Sequence, residues 1–173
     1  MVALSPRLDY ENHLVRCRAL RRVPRVSAMG FTLDEVDAGE EFRTFFWVAV
    51  ELGKQGLVEL LEETLSPDEW TQVHFKERLN PAGPPNPLPE RFYAKAYQSI
   101  KWSKEIAPTP NLNRVQARYR DILEARINRI TRIAVSEADS PTRVLQREET
   151  TLYAEVKKAV SRWRHTMREV VDQ

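Results

Sequence analysis

The stretch Ser66-Pro67-Asp68-Glu69-Trp70 opens a helical pattern that runs to Leu79. It is then broken by Asn80-Pro81-Ala82-Gly83-Pro84-Pro85-Asn86-Pro87-Leu88-Pro89. Ser66 with Glu69 three residues later has the spacing of a capping box, and Pro67 takes the first helical position, where a missing N–H costs nothing. The spacing predicts a helix over 67–79. Each of the five prolines from Pro81 to Pro89 lacks a donor and drives the residue before it out of the helical region, so an extended connector follows. Beyond it, Phe92-Tyr93 opens an aromatic-rich helix. This segment therefore divides the chain into what precedes Ser66 and the proline-punctuated helices after it.

Upstream, Val15, Cys17 and Ala19 alternate with Arg16 and Arg18, the two-residue period of a half-buried strand. Cys17 then points inward as a small buried hydrophobe, with no cation on its own face to activate the thiol. Pro24 ends that run or marks an edge, and Phe31-Thr32-Leu33 reads as another short strand. Asp34 to Glu41 is an acidic turn. Phe45 to Leu52 is too continuously apolar for periodicity to separate strand from helix; a short buried helix ending near Gly53 is the favoured reading. Leu57-Val58-Glu59-Leu60 reads as a last strand.

Downstream, helices are expected over 89–107, 111–135 and 142–171, the last broken near Glu148. Pro108-Thr109-Pro110 and Ser140-Pro141 supply the stops and starts. Leu112, Val115, Tyr119, Ile122, Ile130 and Ile133 recur at helical spacing, as do Leu152, Val156, Val160, Trp163, Met167 and Val170, so both helices should pack in a bundle. The fold class expected is α+β. A small β-rich domain over 1–62 precedes a larger α-helical bundle domain over 63–173, with the proline-rich connector at 80–89.

Composition bounds the function. With 42% hydrophobic and 30% charged residues there is material for a core, and no run approaches the ~18 apolar residues of a membrane span. Met1 to Tyr10 lacks the apolar centre of a signal peptide, so a soluble intracellular protein is expected. A single cysteine excludes an intrachain disulfide, and three scattered histidines suggest no metal framework. The charge is uneven: residues 1–88 hold 10 Lys and Arg against 14 Asp and Glu, a net −4, whereas residues 89–173 hold 17 against 11, a net +6.

Catalytic chemistry is hard to place. The chain has no Gly-rich phosphate loop, His-Glu-x-x-His, paired-cysteine motif or Gly-x-Ser-x-Gly, so neither enzymatic activity nor a cofactor is expected. His13, His74 and His165 read as surface or capping residues. Asp34, Asp37, Glu40 and Glu41 match no calcium loop. Arg16, Arg18, Arg21, Arg22 and Arg25 form a dense basic run, a patch for nucleic acid or for an acidic partner, but without the interleaved rings of a single-strand stacking site. A solvated strand face remains open as well.

The aromatic helix has an unusual distribution. At about 100° per residue, Phe92, Tyr93, Ala96, Tyr97, Ile100, Trp102, Ile106 and Ala107 spread over roughly 220°, about twice an ordinary core-facing stripe. Either the helix is enclosed within its own fold or a second face meets another chain. Phe92, Tyr93, Tyr97, Trp102 and Ile106, with Tyr119 and Trp163 on later helices, are the expected interface residues. Trp102 and Ile106 would form the second flank. Trp70 is the expected packing anchor of the short helix.

The order of these features resembles the GINS replication-complex subunits, of the type in which a small β-rich domain precedes a helical domain. It looks most like the archaeal subunit related to the eukaryotic partner-of-Sld-five subunits of that order. The resemblance rests on Trp47-Val48-Ala49-Val50-Glu51-Leu52, Leu65-Ser66-Pro67-Asp68-Glu69-Trp70, the connector into Arg91-Phe92-Tyr93, and Tyr119-Arg120-Asp121-Ile122-Leu123-Glu124-Ala125-Arg126-Ile127. It implies a non-catalytic subunit of a 2:2 heterotetramer with a second GINS subunit. That tetramer scaffolds and stimulates the MCM helicase and holds it to a RecJ-like or Cdc-type partner at the replication fork. The place implied is the cytoplasmic nucleoid, or the nucleus in a eukaryote, with DNA contact at most weak and no membrane. Because the sequence ends at Gln173 without a longer tail, contacts made by such tails are not carried over. The alternative is a free-standing basic helical nucleic-acid-binding protein using Arg16 to Arg25 and the basic C-terminal half.

Overall fold

The computed structural model describes residues 6–28, 30–61, 64–108, 111–136 and 142–171. The chain is α+β. In order come α1 (Pro6–Glu11), β1 (Leu14–Ala19), β2 (Val26–Ala28), β3 (Phe31–Leu33), β4 (Glu41–Phe45), α2 (Phe46–Lys54) and β5 (Val58–Leu61). There follow α3 (Pro67–Leu79), α4 (Phe92–Glu105), α5 (Leu112–Val135), a 3-10 turn (Thr142–Val144) and α6 (Arg147–Val171). Two compact units result. One comprises Met1–Ser66 with Tyr93–Gln116, the other Pro67–Phe92 with Ala117–Gln173. The aromatic helix, expected within the C-terminal bundle, thus belongs to the sheet-bearing unit from Tyr93 on. The expected cut between 62 and 63 lies outside the described residues, as do Thr109-Pro110 and the Ser140-Pro141 cap.

In the first unit β1 is the central strand of an antiparallel sheet ordered β4-β1-β5, and β2 and β3 form a separate two-stranded ribbon. The alternation in β1 has the expected result: Val15, Cys17 and Ala19 are buried, while Arg18 lies on the exposed face. Strand β4 is a strand the sequence pattern does not announce. Glu41-Phe42-Arg43-Thr44-Phe45 runs directly into α2, so the apolar stretch from Phe45 is divided between a strand end and a helix. Gly39, at φ 90°, makes the turn before β4 in the left-handed region that a side chain disfavours. The core joins the inner face of β1 to Phe46, Val48, Ala49, Val50 and Leu52 of α2, and Tyr97, Trp102 and Ile106 of α4 pack against it. Gly53 permits close approach of α2 and α4, since a Cβ there would lie 2.7 Å from the Trp102 ring.

In the second unit α3 begins at Pro67 and ends at Leu79, the bounds that the proline and the connector predict. Helix α4 starts at Phe92, three residues later than expected. Pro89 accepts a 3.2 Å hydrogen bond from the Phe92 N–H, and Arg91 takes φ 55°, so the residues after the last proline form a turn first. Helices α5 and α6 run in the same direction. Arg126 meets Glu149, Ile130 and Ala134 cluster with Tyr153, and Val135 meets Arg164, so the pairings advance together along both chains. The interruption expected near Glu148 lies just before it, between the 3-10 turn and Arg147.

Candidate functional site

The arginine run is already occupied. In register Arg18 of β1 stands opposite Glu41 of β4 and Glu59 of β5, and its guanidinium reaches both, at 2.9 and 3.2 Å. Arg16 shares Glu41 at 2.9 Å. Those two guanidiniums hold the Glu41 carboxyl below its usual range, Arg18 contributing the larger part. Arg22 pairs with Glu35 and lies 3.9 Å from Asp37, and Arg25 lies 3.8 Å from Asp34; Arg21 is exposed. The basic run and the acidic turn, which the sequence offers as separate features, thus meet at the surface, four of the five arginines lying within ion-pair distance of carboxylates of the same chain. Glu40 accepts from the Asp37 N–H at 3.2 Å and closes the turn. Among the described residues no group of three or more His, Cys, Asp or Glu side chains could hold a metal ion.

From Tyr97 on, the aromatic side chains of α4 pack within the first unit. Tyr97 packs at 5.7 Å from the Tyr10 ring and 6.2 Å from Phe46, and its hydroxyl donates to Glu11 at 2.5 Å. Lys101 reaches the same Glu11 oxygen at 3.0 Å. Trp102 and Ile106, the expected partner-facing flank, lie against Gly53 of α2 instead. The physical reason is the glycine: without a Cβ, α2 admits an indole at contact distance, and Trp102 and Ile106 pack half-buried against the protein's own core. Tyr93 is buried as well.

Trp70 is 2% exposed and meets two rings edge-on, Phe92 at 5.8 Å and Tyr119 at 6.3 Å. Burial raises the Tyr119 hydroxyl pKa, and the Glu148 carboxylate adds to it. Phe92, Tyr119 and Trp70 therefore form one aromatic junction of α3, α5 and the start of α4.

Beside it is a cluster that sequence reasoning missed. Arg126 and Arg129 of α5 are 0% and 2% exposed, with Glu77 of α3 and Glu149 of α6 at 2% and 3%. Arg126 meets Glu149 in a two-pronged contact, Nε to Oε1 and NH2 to Oε2, both at 2.7 Å, and its NH1 reaches Glu77 at 3.2 Å. The remaining donors hold the connector: Arg126 to the Asn86 carbonyl at 2.5 Å, Arg129 to Pro84 at 2.6 Å, and Arg132 to Pro81 at 3.3 Å. Proline-rich backbone has few donors but a full set of carbonyls, and arginines satisfy them. Arg129 Nε and Glu77 Oε2 face each other at 3.2 Å but out of line, so neither counts as hydrogen-bonded. Glu149 also accepts from the Gln146 N–H at 2.8 Å, half of a capping box at the start of α6. One signal was present in the sequence. The apolar stripe of α5 skips from Ile122 to Ile130, and Arg126 occupies the missing position.

The end of α6 is different again. Trp163, Met167 and Val170 are 64%, 43% and 68% exposed, on a helix whose earlier stripe residues Leu152 and Val156 pack against Ile130, Ala134 and Tyr153. Since α5 ends at Val135, level with Arg164, it offers no cover further along. Phe75 and Leu79 make a second exposed apolar pair on α3. His74 lies 3.2 Å from Asp121.

No protein-family model and no curated protein sequence matches the chain. Among the described residues no helix is long and apolar enough to cross a membrane.

Proposed function

We propose that this chain is a non-catalytic, GINS-like subunit that works through its interfaces. It assembles with a second, related subunit, in a 2:2 tetramer, to scaffold and stimulate an MCM helicase and hold it to a RecJ-like or Cdc-type partner. Its place is the replication fork, in the nucleoid of a cell without a nucleus or in the nucleus otherwise. The observation that carries this reading is the exposed apolar end of α6. A tryptophan, a methionine and a valine one helical turn apart form a continuous stripe that a stable monomer rarely leaves in water. Trp163 was among the expected interface residues; Trp102 and Ile106, which serve the core, are withdrawn from that role. The order of the Leu65 to Trp70 motif, the connector and Arg91-Phe92-Tyr93 supplies the family resemblance. Of the alternative, a free-standing nucleic-acid-binding protein using Arg16 to Arg25 and the basic C-terminal half, the part that relies on the arginine run loses support, because four of those five arginines have carboxylates within ion-pair distance.

The test is co-elution. Trp163→Glu combined with Met167→Glu should leave the helical spectrum unchanged and abolish co-elution with the second GINS-like subunit encoded in the same genome. If light scattering finds the double variant still in a complex of wild-type mass, the stripe is not the assembly surface.

A further inference from the structure

A second face of α6 carries charge of one sign. From 157 to 168 the chain holds Lys157, Lys158, Arg162, Arg164 and Arg168 and no Asp or Glu. At about 100° per residue, Lys157, Ser161, Arg164, His165 and Arg168 fall within an arc of about 100°, adjacent to the Trp163, Met167 and Val170 stripe but separate from it. This face borders a cleft of about 290 Å³ beside the end of α5, where Ser136 joins the lining. Several groups are held in place. Arg164 donates to the Val135 carbonyl at 2.7 Å, and Lys157 reaches the Tyr153 hydroxyl at 3.2 Å. His165 lies 3.3 Å from the Glu169 carboxylate.

We propose that this cleft binds the phosphate backbone of a nucleic-acid strand. Lys157, Arg164 and Arg168 would neutralise neighbouring phosphates, and the Ser136 and Ser161 hydroxyls would donate to phosphate oxygens. Three observations select this ligand. Lys157, Arg164 and Arg168 follow one another along the helix at about 10.5 and 6 Å, two turns and then one, and so form a row and not a point, which suits a chain that carries a charge at every residue. Arginine forks and hydroxyl donors match phosphate oxygens in geometry. An acidic peptide would need side-chain pockets as well as charge, and among the described residues that line the cleft Ala134 is the one apolar residue. The site is independent of the assembly stripe, so this proposal stands or falls apart from the one above.

The experiment is fluorescence anisotropy on the full chain with a labelled 20-nucleotide oligothymidine and a duplex of equal length, over a salt series, with polyglutamate as competitor. Affinity should fall linearly on a log–log plot. Lys157→Ala with Arg168→Ala should weaken binding at least about 10-fold at low salt and reduce the single-strand slope by about 1.4, at about 0.7 per lost contact. Arg22→Ala, on the paired arginine run, should change neither, and circular dichroism of each variant verifies that α6 is intact. The proposal is overturned if the wild-type chain binds neither oligonucleotide or if the double variant keeps its affinity and slope. Displacement of the strand by polyglutamate at equal charge concentration also overturns it, and would make the cleft an acidic-peptide site.

Discussion

The arginines of β1 and those of α5 both face glutamates, yet they do different work. Arg18 and Glu41 have side chains 44% and 41% exposed, whereas Arg126 and Glu149 are at 1% and 3%. Water and salt screen the first pair, so its attraction is nearly offset by solvation and by the entropy of holding two long side chains. For the second, removal of either partner strands a charge where water cannot reach it. The number of ion pairs is therefore a poor guide to what holds this chain together. Burial decides, and the net charges of the two halves conceal it: the arginine-rich strand is internally balanced, and two cations of the basic half are locked inside.

The sharpest way to break this comparison is Arg126→Ala. It leaves Glu149 and Glu77 buried without their shared cation and the Asn86 carbonyl without its donor. A loss of about 3–5 kcal/mol in unfolding free energy is expected from urea denaturation. Arg126→Lys should recover only a part, since an ammonium lacks the fork that meets both Glu149 oxygens. If Arg126→Ala costs less than about 1 kcal/mol, water enters the cluster and the distinction between the two arginine sets collapses.

How much of this was legible in the sequence depended on whether the signal was local. The bounds of α3 followed from Pro67 and the connector, and the inward face of β1 followed from its alternation, because each is decided within a few residues. Strand β4 was not legible: five residues between an acidic turn and a helix carry no clean period, and what makes them a strand is the exposed backbone edge of β1. The packing of Trp102 on Gly53 was illegible for a related reason, since a glycine near a helix end reads equally as a stop. The pairing of the arginine run with the acidic residues is not a local pattern: the register of β1 with β4 and β5 brings Arg16 and Arg18 to Glu41 and Glu59, and Arg22 meets Glu35 beside the Val23–Val36 bridge. The buried cluster left a trace in the gap of the α5 stripe, but its partners come from α3 and α6, which no local pattern could supply. The basic face of α6 was visible as an acid-free run, and its cleft was not.

An intermediate case sharpens the comparison. Glu11, 18% exposed, accepts hydrogen bonds from Tyr97, Lys101 and Arg7, which together outweigh its burial and hold the carboxyl down to about 2, the Tyr97 hydroxyl contributing most. A carboxyl depressed in the folded state stabilises the fold above its ordinary value near 4.5, and that contribution is lost as pH falls from there toward about 2. Its size should be on the order of 1 kcal/mol once solvent screening is allowed for. Thermal melts between pH 6 and pH 2.5 should show an acid limb that is flattened in Tyr97→Phe. An unchanged acid limb in that variant would remove Glu11 as its source.

The smallest effect should come from the most conspicuous feature, the paired face of β1. Arg18 contacts two carboxylates from two strands, which by itself would suggest a large effect. Exposure predicts otherwise. Both partners keep much of their water on folding, and Glu41 retains Arg16 when Arg18 is removed. Arg18→Ala, Glu41→Ala and the double variant, melted at low salt and again at 0.5 M NaCl, should show a coupling that is small at low salt and absent at high salt. The sheet should persist in every variant, since the register is fixed on the opposite face by Val15, Cys17 and Ala19. A coupling that survived high salt would mean this face is dry in solution. Since the chain's own surface leaves it wet, that outcome would require a partner seated over β1, and the search for interfaces would move from α6 to the sheet.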